Sequence, residues 1–342
     1  MGLMSAAKRI HWADLARGIA ALGVIAYHVD VPGTSQFYVF VDFFFILSGF
    51  VLSRSIGNIN SGADWRHFML KRLFRFMPLV WMAVATKVAL TLIGTLMGKP
   101  CGNYECQPLL VVSAALLLQV LIPATFMVLG PLWSLSVELF VNAGYAVKFG
   151  TDRRTMTLVG VGIGLALTIT SYFVPRYGAE MFDNFHGFAR GALAFGLGLA
   201  IRYLPKLTRA WLLIVPSLLA SVLVLALNFD EFQPLLASVV FTFLILGFSS
   251  LKTESANVLY VRTATMLGNA SFGIYVWHGA IRGTIMKVAS VLGLETGTAG
   301  YWLFNLVVLA VTSTAIALLT FHFVEQPVMR WFAKQNFVRR NR

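Results

Sequence analysis

The sequence predicts an all-α polytopic membrane protein that forms a single domain over residues 1–342. Its 342 residues are 58% hydrophobic and only 12% charged, and the mean hydropathy is +0.76, unlike a soluble domain. Apolar runs recur from about residue 15 to about residue 324, with no stretch between them long enough for a separate soluble domain. The first run contains Arg17 and His28, and no small-residue cleavage site follows it. We therefore interpret it as a retained span rather than as a signal peptide.

About ten transmembrane helices are expected if each span needs about 20 apolar residues. The predicted spans are residues 15–31, 38–54, 76–96, 131–147, 155–174, 187–203, 210–228, 235–250, 264–282 and 301–324. The apolar segment at 109–122 has only 14 residues, so we expect a short re-entrant or interfacial piece there. An eleventh span at this point would put the later basic loops on the wrong face of the membrane.

Lysine and arginine are unevenly distributed between the loops, and this predicts the orientation. The loop after the first span has neither, whereas the next loop holds Arg54, Arg66, Lys71, Arg72 and Arg75. Because cytoplasmic loops carry an excess of Lys and Arg, both termini are predicted to be cytoplasmic. Cys101 and Cys106 then lie outside, where they could form a disulfide in an oxidising compartment and would be free thiols in a reducing one.

The net charge of +13 does not predict nucleic-acid binding. The basic residues cluster in short loops, and no basic domain exists to carry such a role. Membrane topology and anionic ligands explain them better. No His, Cys and carboxylate spacing suggests a metal site.

Ionisable side chains inside the predicted spans are costly in lipid and are usually functional. They are Arg17, His28, Asp42, Lys87, Glu138, Arg190, His278 and His322. Ten residues separate Arg17 from His28 in the first span, so the two lie about 16 Å apart along a helix. One of them is therefore expected near each membrane face.

Several of these residues belong to seven strings that follow one another along nearly the whole chain. The strings are the Arg17 to His28 pattern, FFFILSGFVLSR, KRLFRFMP, PLWSLSVELF, ARGALAFGLG, LGNASFGIYVWH and FVEQP. Together they resemble the membrane-bound acyltransferase 3 family. We expect the stand-alone form, because no SGNH-type hydrolase-like domain follows the last span. The resemblance implies an enzyme of the bacterial inner membrane that moves an acyl group, such as acetyl, from cytoplasmic acyl-CoA to a hydroxyl of an extracytoplasmic sugar, polysaccharide or lipid-linked glycan.

His28 and Glu138 are the candidate catalytic residues. In the predicted topology both lie in the outer part of their spans, where a neutral imidazole could take a proton from a sugar hydroxyl while Glu138 orients the ring. His28 could instead carry the acyl group as a nucleophile, and the sequence leaves base and nucleophile open. A histidine in a membrane helix more often makes a helix-to-helix hydrogen bond, and the Arg and His pattern is what favours catalysis.

Arg17, Arg72 and Arg75 are the candidate donor-binding residues. They match the family strings near the inner face, and guanidinium groups suit the phosphates of acyl-CoA. Glu325 is expected to pair with one of these arginines. The candidate substrate-binding or supporting residues are Ser48, Trp133, Ser136, Trp277 and His278. For the tryptophans the alternative is an interfacial aromatic belt, and for the serines it is a hydrogen bond between helices.

A secondary transporter is the alternative function. Ten spans with buried Arg, His, Glu and Lys could also line a substrate or proton path. Transporters of this size often have two related halves, but no paired Gly- or Pro-interrupted spans occur at matching positions here. Acyl transfer or hydrolysis of acetyl-CoA, as opposed to solute flux alone, would separate the two functions.

Overall fold

The computed structural model describes residues 9–98, 101, 106–122, 128–147, 152–171, 184–251 and 257–340, and this part of the chain contains helices and no β-strand. The helices are α1 (His11–His28), α2 (Phe40–Gly57), α3 (Gly62–Leu96), α4 (Pro108–Ala115), α5 (Leu132–Ala146), α6 (Arg153–Ser171), α7 (Asn184–Ala200), α8 (Trp211–Ala226), α9 (Gln233–Ser249), α10 (Val258–Val291), α11 (Ala299–Thr320) and α12 (Gln326–Arg340). A π-helical turn, Phe321–Glu325, joins α11 to α12.

Every predicted span overlaps a helix, which confirms the all-α class. Within the described residues, five helical segments are long and apolar enough to cross a membrane: Phe37–Gly57, Gly62–Leu96, Arg153–Ser171, Asp230–Ser249 and Ala299–Gln335. The α8 helix is also apolar but has only 16 residues. The count of ten crossings therefore stays a prediction.

The outer surface of the bundle is apolar, as expected of a protein surrounded by lipid. Helices α6 and α8 expose large hydrophobic side chains, including Val159, Ile163, Leu219 and Val222, each more than half accessible. Such a continuous apolar surface would be a liability in water. Together with the long apolar helices, it identifies a membrane protein.

The segment at 109–122 does not form one continuous helix. The α4 helix has eight residues, or about 12 Å, against about 30 Å for the hydrocarbon core of a bilayer. The chain then turns at Leu117, whose φ of 55° is left-handed. Ser136 of α5 holds this turn, because its Oγ donates to the Leu117 carbonyl at 2.6 Å and accepts from the Val120 amide at 3.1 Å. This geometry agrees with a segment that does not cross the membrane by itself.

Helices α1 and α10 pack closely and run parallel. Gly18 lies against Leu267, and Gly268 lies against Asp14, so a Cβ atom at either glycine would clash with the opposing side chain. Ten residues further along both helices, the rings of His28 and His278 are neighbours, with centroids 5.1 Å apart. Residues at the start of α1 therefore share one end of the bundle with the middle of α10, and His28 shares the other end with the later part of α10.

Cys101 and Cys106 form a disulfide whose Cα atoms are 6.2 Å apart. The sequence left this bond open. Residues 102–105 between the two cysteines lie outside the described residues. The side of the membrane on which this loop lies stays a prediction.

Candidate active site

A cationic pocket lies between α1, α2, α3, α5 and the middle of α10. Its volume is about 120 Å³. The charged and polar residues that line it are Arg17, Ser48, Arg72, Arg75, Glu138, Ser271 and Tyr275. We call this group the arginine pocket. Three guanidinium groups face one carboxylate there, which leaves an excess of positive charge.

Glu138 belongs to the arginine pocket. Its Oε1 accepts a hydrogen bond from Arg72 Nη2 at 2.5 Å and another from Ser48 Oγ at 2.6 Å. The structure thus corrects the expected pairing of Glu138 with His28. The physical reason is that a carboxylate in a site of low polarity is best stabilised by a nearby guanidinium, and α3 brings Arg72 within reach. A catalytic role for Glu138 stays a prediction.

His28 and His278 form a second group, at the far end of α1. Their ring planes are inclined by 30°. His278 is fully buried, and its Nδ1 lies 3.1 Å from the Ile274 carbonyl oxygen, so we assign the ring proton to Nδ1. The His278 Nε2 atom then carries a lone pair, and it has no hydrogen-bond partner among the described residues. This atom can accept a proton or a hydrogen bond from a bound substrate.

Arg282 completes the histidine group. Its Nη1 lies 3.5 Å from His28 Nδ1, at the long limit of a hydrogen bond, and its Nε contacts the sulfur of Met286 at 3.3 Å. Because a guanidinium only donates, His28 Nδ1 is the acceptor in this contact. A cation beside two imidazoles can stabilise negative charge that develops on a reacting oxygen.

Tyr275 connects the arginine pocket to the histidine group. Its ring lies 5.7 Å from the His278 ring, and its hydroxyl is 2.7 Å from Ser134 Oγ. Ser271, Tyr275, His278 and Arg282 follow the i, i+4, i+7, i+11 spacing of one helix face. This stripe is about 16 Å long, the same as the separation of Arg17 and His28 on α1. The two parallel helices therefore both carry polar side chains between the level of the arginine pocket and that of the histidine group.

Sequence reasoning missed Tyr275 and Arg282. Both could have been found from helical spacing, because they lie three residues before and four residues after His278. Arg282 lies at the outer end of a predicted span, where the positive-inside rule does not account for an arginine. Its contact with His28 depends on the parallel packing of α1 and α10, which the sequence does not reveal.

The predicted supporting residues divide into two sets. Ser48 lies in the arginine pocket and His278 in the histidine group. Ser136, as described above, holds the turn after α4. Trp277 points towards α11, where its Nε1 donates to Thr320 Oγ1 at 3.3 Å. A buried indole N–H needs such a partner. Trp277 therefore contacts α11 and does not belong to the polar stripe of α10.

Trp133 lies beside a second intramembrane charge pair. Arg190 donates to Asp42 through Nη2 at 2.6 Å and through Nε at 3.2 Å, and both side chains are buried. The guanidinium also lies over the rings of Trp133 and Tyr38, at 5.8 and 5.5 Å from their centroids. Trp133 therefore helps to enclose a buried ion pair.

Glu325 lies in the π-helical turn and is buried. The expected direct pair with an arginine is not formed, because Glu325 Oε1 has no hydrogen-bond partner among the described residues. In a π-helix the hydrogen bond joins residues i and i+5, one more than in an α-helix. The carboxylate of Glu325 is therefore rotated relative to the position that an uninterrupted α11 would give it.

Comparison with known proteins identifies relatives. The family model described as "Acyltransferase domain" (Acyl_transf_3) matches residues 10–322. The chain is 24% identical over 368 residues to "Putative peptidoglycan O-acetyltransferase YrhL" of Bacillus subtilis, covering 96% of this chain and 56% of the relative. It is 25% identical over 356 residues to "Peptidoglycan O-acetyltransferase OatA" of Listeria monocytogenes, covering 93% and 55%.

"Protein 2 in picA locus" of Rhizobium radiobacter is 31% identical over 182 residues, which are 47% of this chain and 94% of that protein. The chain thus spans about half the length of the two O-acetyltransferases. No solved structure matches it significantly. The family model, by contrast, runs from α1 to the π-helical turn and includes both the arginine pocket and the histidine group. The chain therefore belongs to the acyltransferase 3 family.

Proposed function

We propose that this protein is a membrane O-acetyltransferase that moves an acetyl group from acetyl-CoA to a hydroxyl of a glycan. One observation carries the proposal: α1 and α10 hold a cationic pocket at one end and a pair of neighbouring histidines at the other, and the stripe from Ser271 to Arg282 runs between them. An anionic donor and a hydroxyl acceptor need these two environments at a fixed separation. The names of two relatives, both peptidoglycan O-acetyltransferases, support acetyl as the group and a glycan as the acceptor.

The arginine pocket would hold the phosphates of the donor. Arg72 is fixed by its bond to Glu138, and Arg17 and Arg75 make no hydrogen bond to a described residue, so their guanidinium groups are available to an anion. Planar guanidinium forks bind phosphate oxygens in a bidentate way that lysine cannot match. At about 120 Å³ the pocket suits a phosphate group and the start of a flexible arm, and not a whole nucleotide.

The histidine group would perform the proton transfer. A neutral imidazole, His28 in our assignment, takes the proton of the acceptor hydroxyl, and the oxygen attacks the carbonyl carbon of the thioester. The C–S bond then breaks, the thiolate recovers the proton from the imidazolium, and an acetyl ester and a free thiol result. Arg282 lies where it can stabilise the oxyanion of the tetrahedral intermediate. Transfer through an acetylated His28 gives the same products in two steps.

The proposed direction is outward across a bacterial inner membrane, with both termini in the cytoplasm. The donor then enters at the arginine pocket, because CoA thioesters are cytoplasmic, and the acceptor arrives at the histidine group. The distance of about 16 Å between Arg17 and His28 along α1 is roughly half the hydrocarbon thickness. The arm of the donor, rather than a movement of the protein, would cover this distance.

The test is acetyl transfer by the purified protein in lipid vesicles supplied with acetyl-labelled acetyl-CoA. We expect release of free CoA together with labelled, base-labile ester on added peptidoglycan fragments. Saturable acetyl-CoA binding with slow hydrolysis in the absence of glycan would support the donor half alone. Absence of acetyl-CoA binding, or solute flux without cleavage of the thioester, would refute the proposal and favour a transporter.

A further inference from the structure

A second cavity opens at the His28 end of the bundle. It has a volume of about 530 Å³, within the range of about 300–1,000 Å³ that is common for small-molecule sites. The ends of α1 and α6, the start of α7 and the loops before α2 and α9 surround it. The lining residues that matter below are Tyr27, Gln36, Tyr38, Arg190, Asn228 and Asp230. We call this the acceptor-side cavity.

Tyr27 lines this cavity and also contacts His28 of the histidine group. Its ring centroid is 5.0 Å from that of His28 and 5.9 Å from that of Tyr38. A molecule in the acceptor-side cavity would therefore lie against two aromatic rings, one ring away from His28.

The floor of the cavity is polar and buried. Gln36 is only 9% exposed, and its Oε1 has no hydrogen-bond partner among the described residues. Leaving a buried carbonyl oxygen without a donor costs stability, so such an atom indicates a position where a ligand or water donates. Because Oε1 only accepts, a ligand that satisfies it must present an O–H or N–H group.

The rim of the cavity carries Asp230 in a constrained conformation. Its φ of 48° is left-handed, which costs free energy for an aspartate. Asn228 holds it there by accepting from the Asp230 amide at 3.0 Å and donating to its carboxylate at 2.9 Å. The fully buried Gln233 fixes the same loop by accepting from the Phe229 amide at 2.9 Å. The loop thus presents the Asp230 carboxylate in a defined position.

The charge of the lining favours a ligand that donates hydrogen bonds and carries no negative charge. Among the described lining residues, Arg190 is the only permanent cation, and its charge is balanced by the buried Asp42 at 2.6 Å. A carboxylate such as Asp230 accepts hydrogen bonds from hydroxyl groups and repels another carboxylate. Aromatic faces beside planar polar groups complete a surface that suits a sugar ring.

We infer that the acceptor-side cavity binds the acceptor as a neutral, hydroxyl-bearing sugar ring that stacks on Tyr27 and Tyr38, donates hydrogen bonds to Gln36 and Asp230, and is selected against anionic sugars. This inference rests on the proposed function, which requires a glycan beside His28. It adds the position of the acceptor ring and the charge class of that ring.

The experiment compares two trisaccharides of equal length, neutral chitotriose and anionic trigalacturonate, by equilibrium binding to the purified protein. We expect the wild type to bind chitotriose at least about tenfold more tightly, the effect of roughly one charge-assisted hydrogen bond. Asp230→Asn should reduce the affinity for chitotriose about tenfold and so reduce the difference in affinity between the two trisaccharides. Asparagine tolerates the left-handed conformation, so this substitution preserves the loop. Gln36→Leu, which removes the buried acceptor at similar volume, should also weaken chitotriose binding.

The matched control is Glu295→Gln, which neutralises an exposed carboxylate in the loop between α10 and α11, away from the cavity. It should leave both affinities unchanged. Acetyl-CoA binding is measured on every variant, because it reports the folded state and the donor site separately. Equal binding of the two trisaccharides, no binding of chitotriose, or unchanged binding in both Asp230→Asn and Gln36→Leu would overturn the inference. If the wild type fails to bind acetyl-CoA, the proposed function itself fails.

Discussion

Arg72 allows the donor site to be tested with a magnitude taken from the structure. Its Nη2 lies 2.5 Å from Glu138 Oε1, and the two side chains are only 12% and 15% exposed. Arg72→Ala would remove one charge-assisted contact to a donor phosphate, worth about 1.5–3 kcal/mol, or about tenfold to a hundredfold in affinity. It would also leave the Glu138 carboxylate with the Ser48 hydroxyl but without its guanidinium partner, so its charge would repel phosphate. We therefore expect a loss near the upper end of that range.

The assay is calorimetric titration of acetyl-CoA into the detergent-purified protein, with thermal unfolding of each variant as a test of folding. Arg66→Ala is the matched control. Arg66 lies on the same helix and is predicted to be on the same side of the membrane, but it is exposed and does not line the pocket. Arg72→Lys keeps the charge and should lose less affinity than Arg72→Ala. A loss of acetyl-CoA affinity of less than about threefold in Arg72→Ala would be smaller than one charge-assisted hydrogen bond provides. That result, or an equal loss in Arg66→Ala, would show that the donor site is misplaced.

Three further predictions address catalysis, stability and topology. His28→Ala should keep acetyl-CoA affinity and lose at least about a hundredfold to ten-thousandfold in transfer, and normal transfer would remove His28 from the mechanism. Asp42→Asn leaves Arg190 buried without its counter-charge and should cost about 3–5 kcal/mol, seen as a lower unfolding temperature in detergent, whereas an unchanged unfolding temperature would show that the pair is dispensable. After reduction, Cys101 and Cys106 should react with an impermeant thiol reagent from the periplasmic side, and labelling only from the cytoplasm would contradict the predicted orientation.

The helical architecture could be predicted because lipid leaves the backbone few choices. A chain in hydrocarbon must satisfy its own N–H and C=O groups, so each long apolar run becomes a helix. The break at 109–122 was also predictable from its length. The extension of α10 over 34 residues was not, because Arg262 near its start and Arg282 and Lys287 near its end interrupt the apolar pattern that marks a span.

The site was predicted in part. Arg17, Arg72 and Arg75 were grouped correctly because the positive-inside rule and the sequence strings both placed them near one face. Glu138 was assigned to the wrong neighbour. Hydropathy gives only an approximate depth along a span and does not give the rotation of the helix. Glu138 was expected at the depth of His28, but α5 places it beside Arg72 and Arg17, at the other end of α1. The cavity next to Tyr27 was not foreseen, because the helix ends and loops that enclose it are far apart in the sequence.

The parallel contact between α1 and α10 has a consequence for biosynthesis. His28 and Arg282 are 254 positions apart, so the histidine group cannot form until α10 has been synthesised and has packed against α1. An incompletely inserted chain can gather Arg17 and Arg72 but has no His278 beside His28. Such a chain also lacks Ser271 and Tyr275, which line the arginine pocket from α10. Under the proposed function, acetyl transfer therefore requires α10 to be in place beside α1.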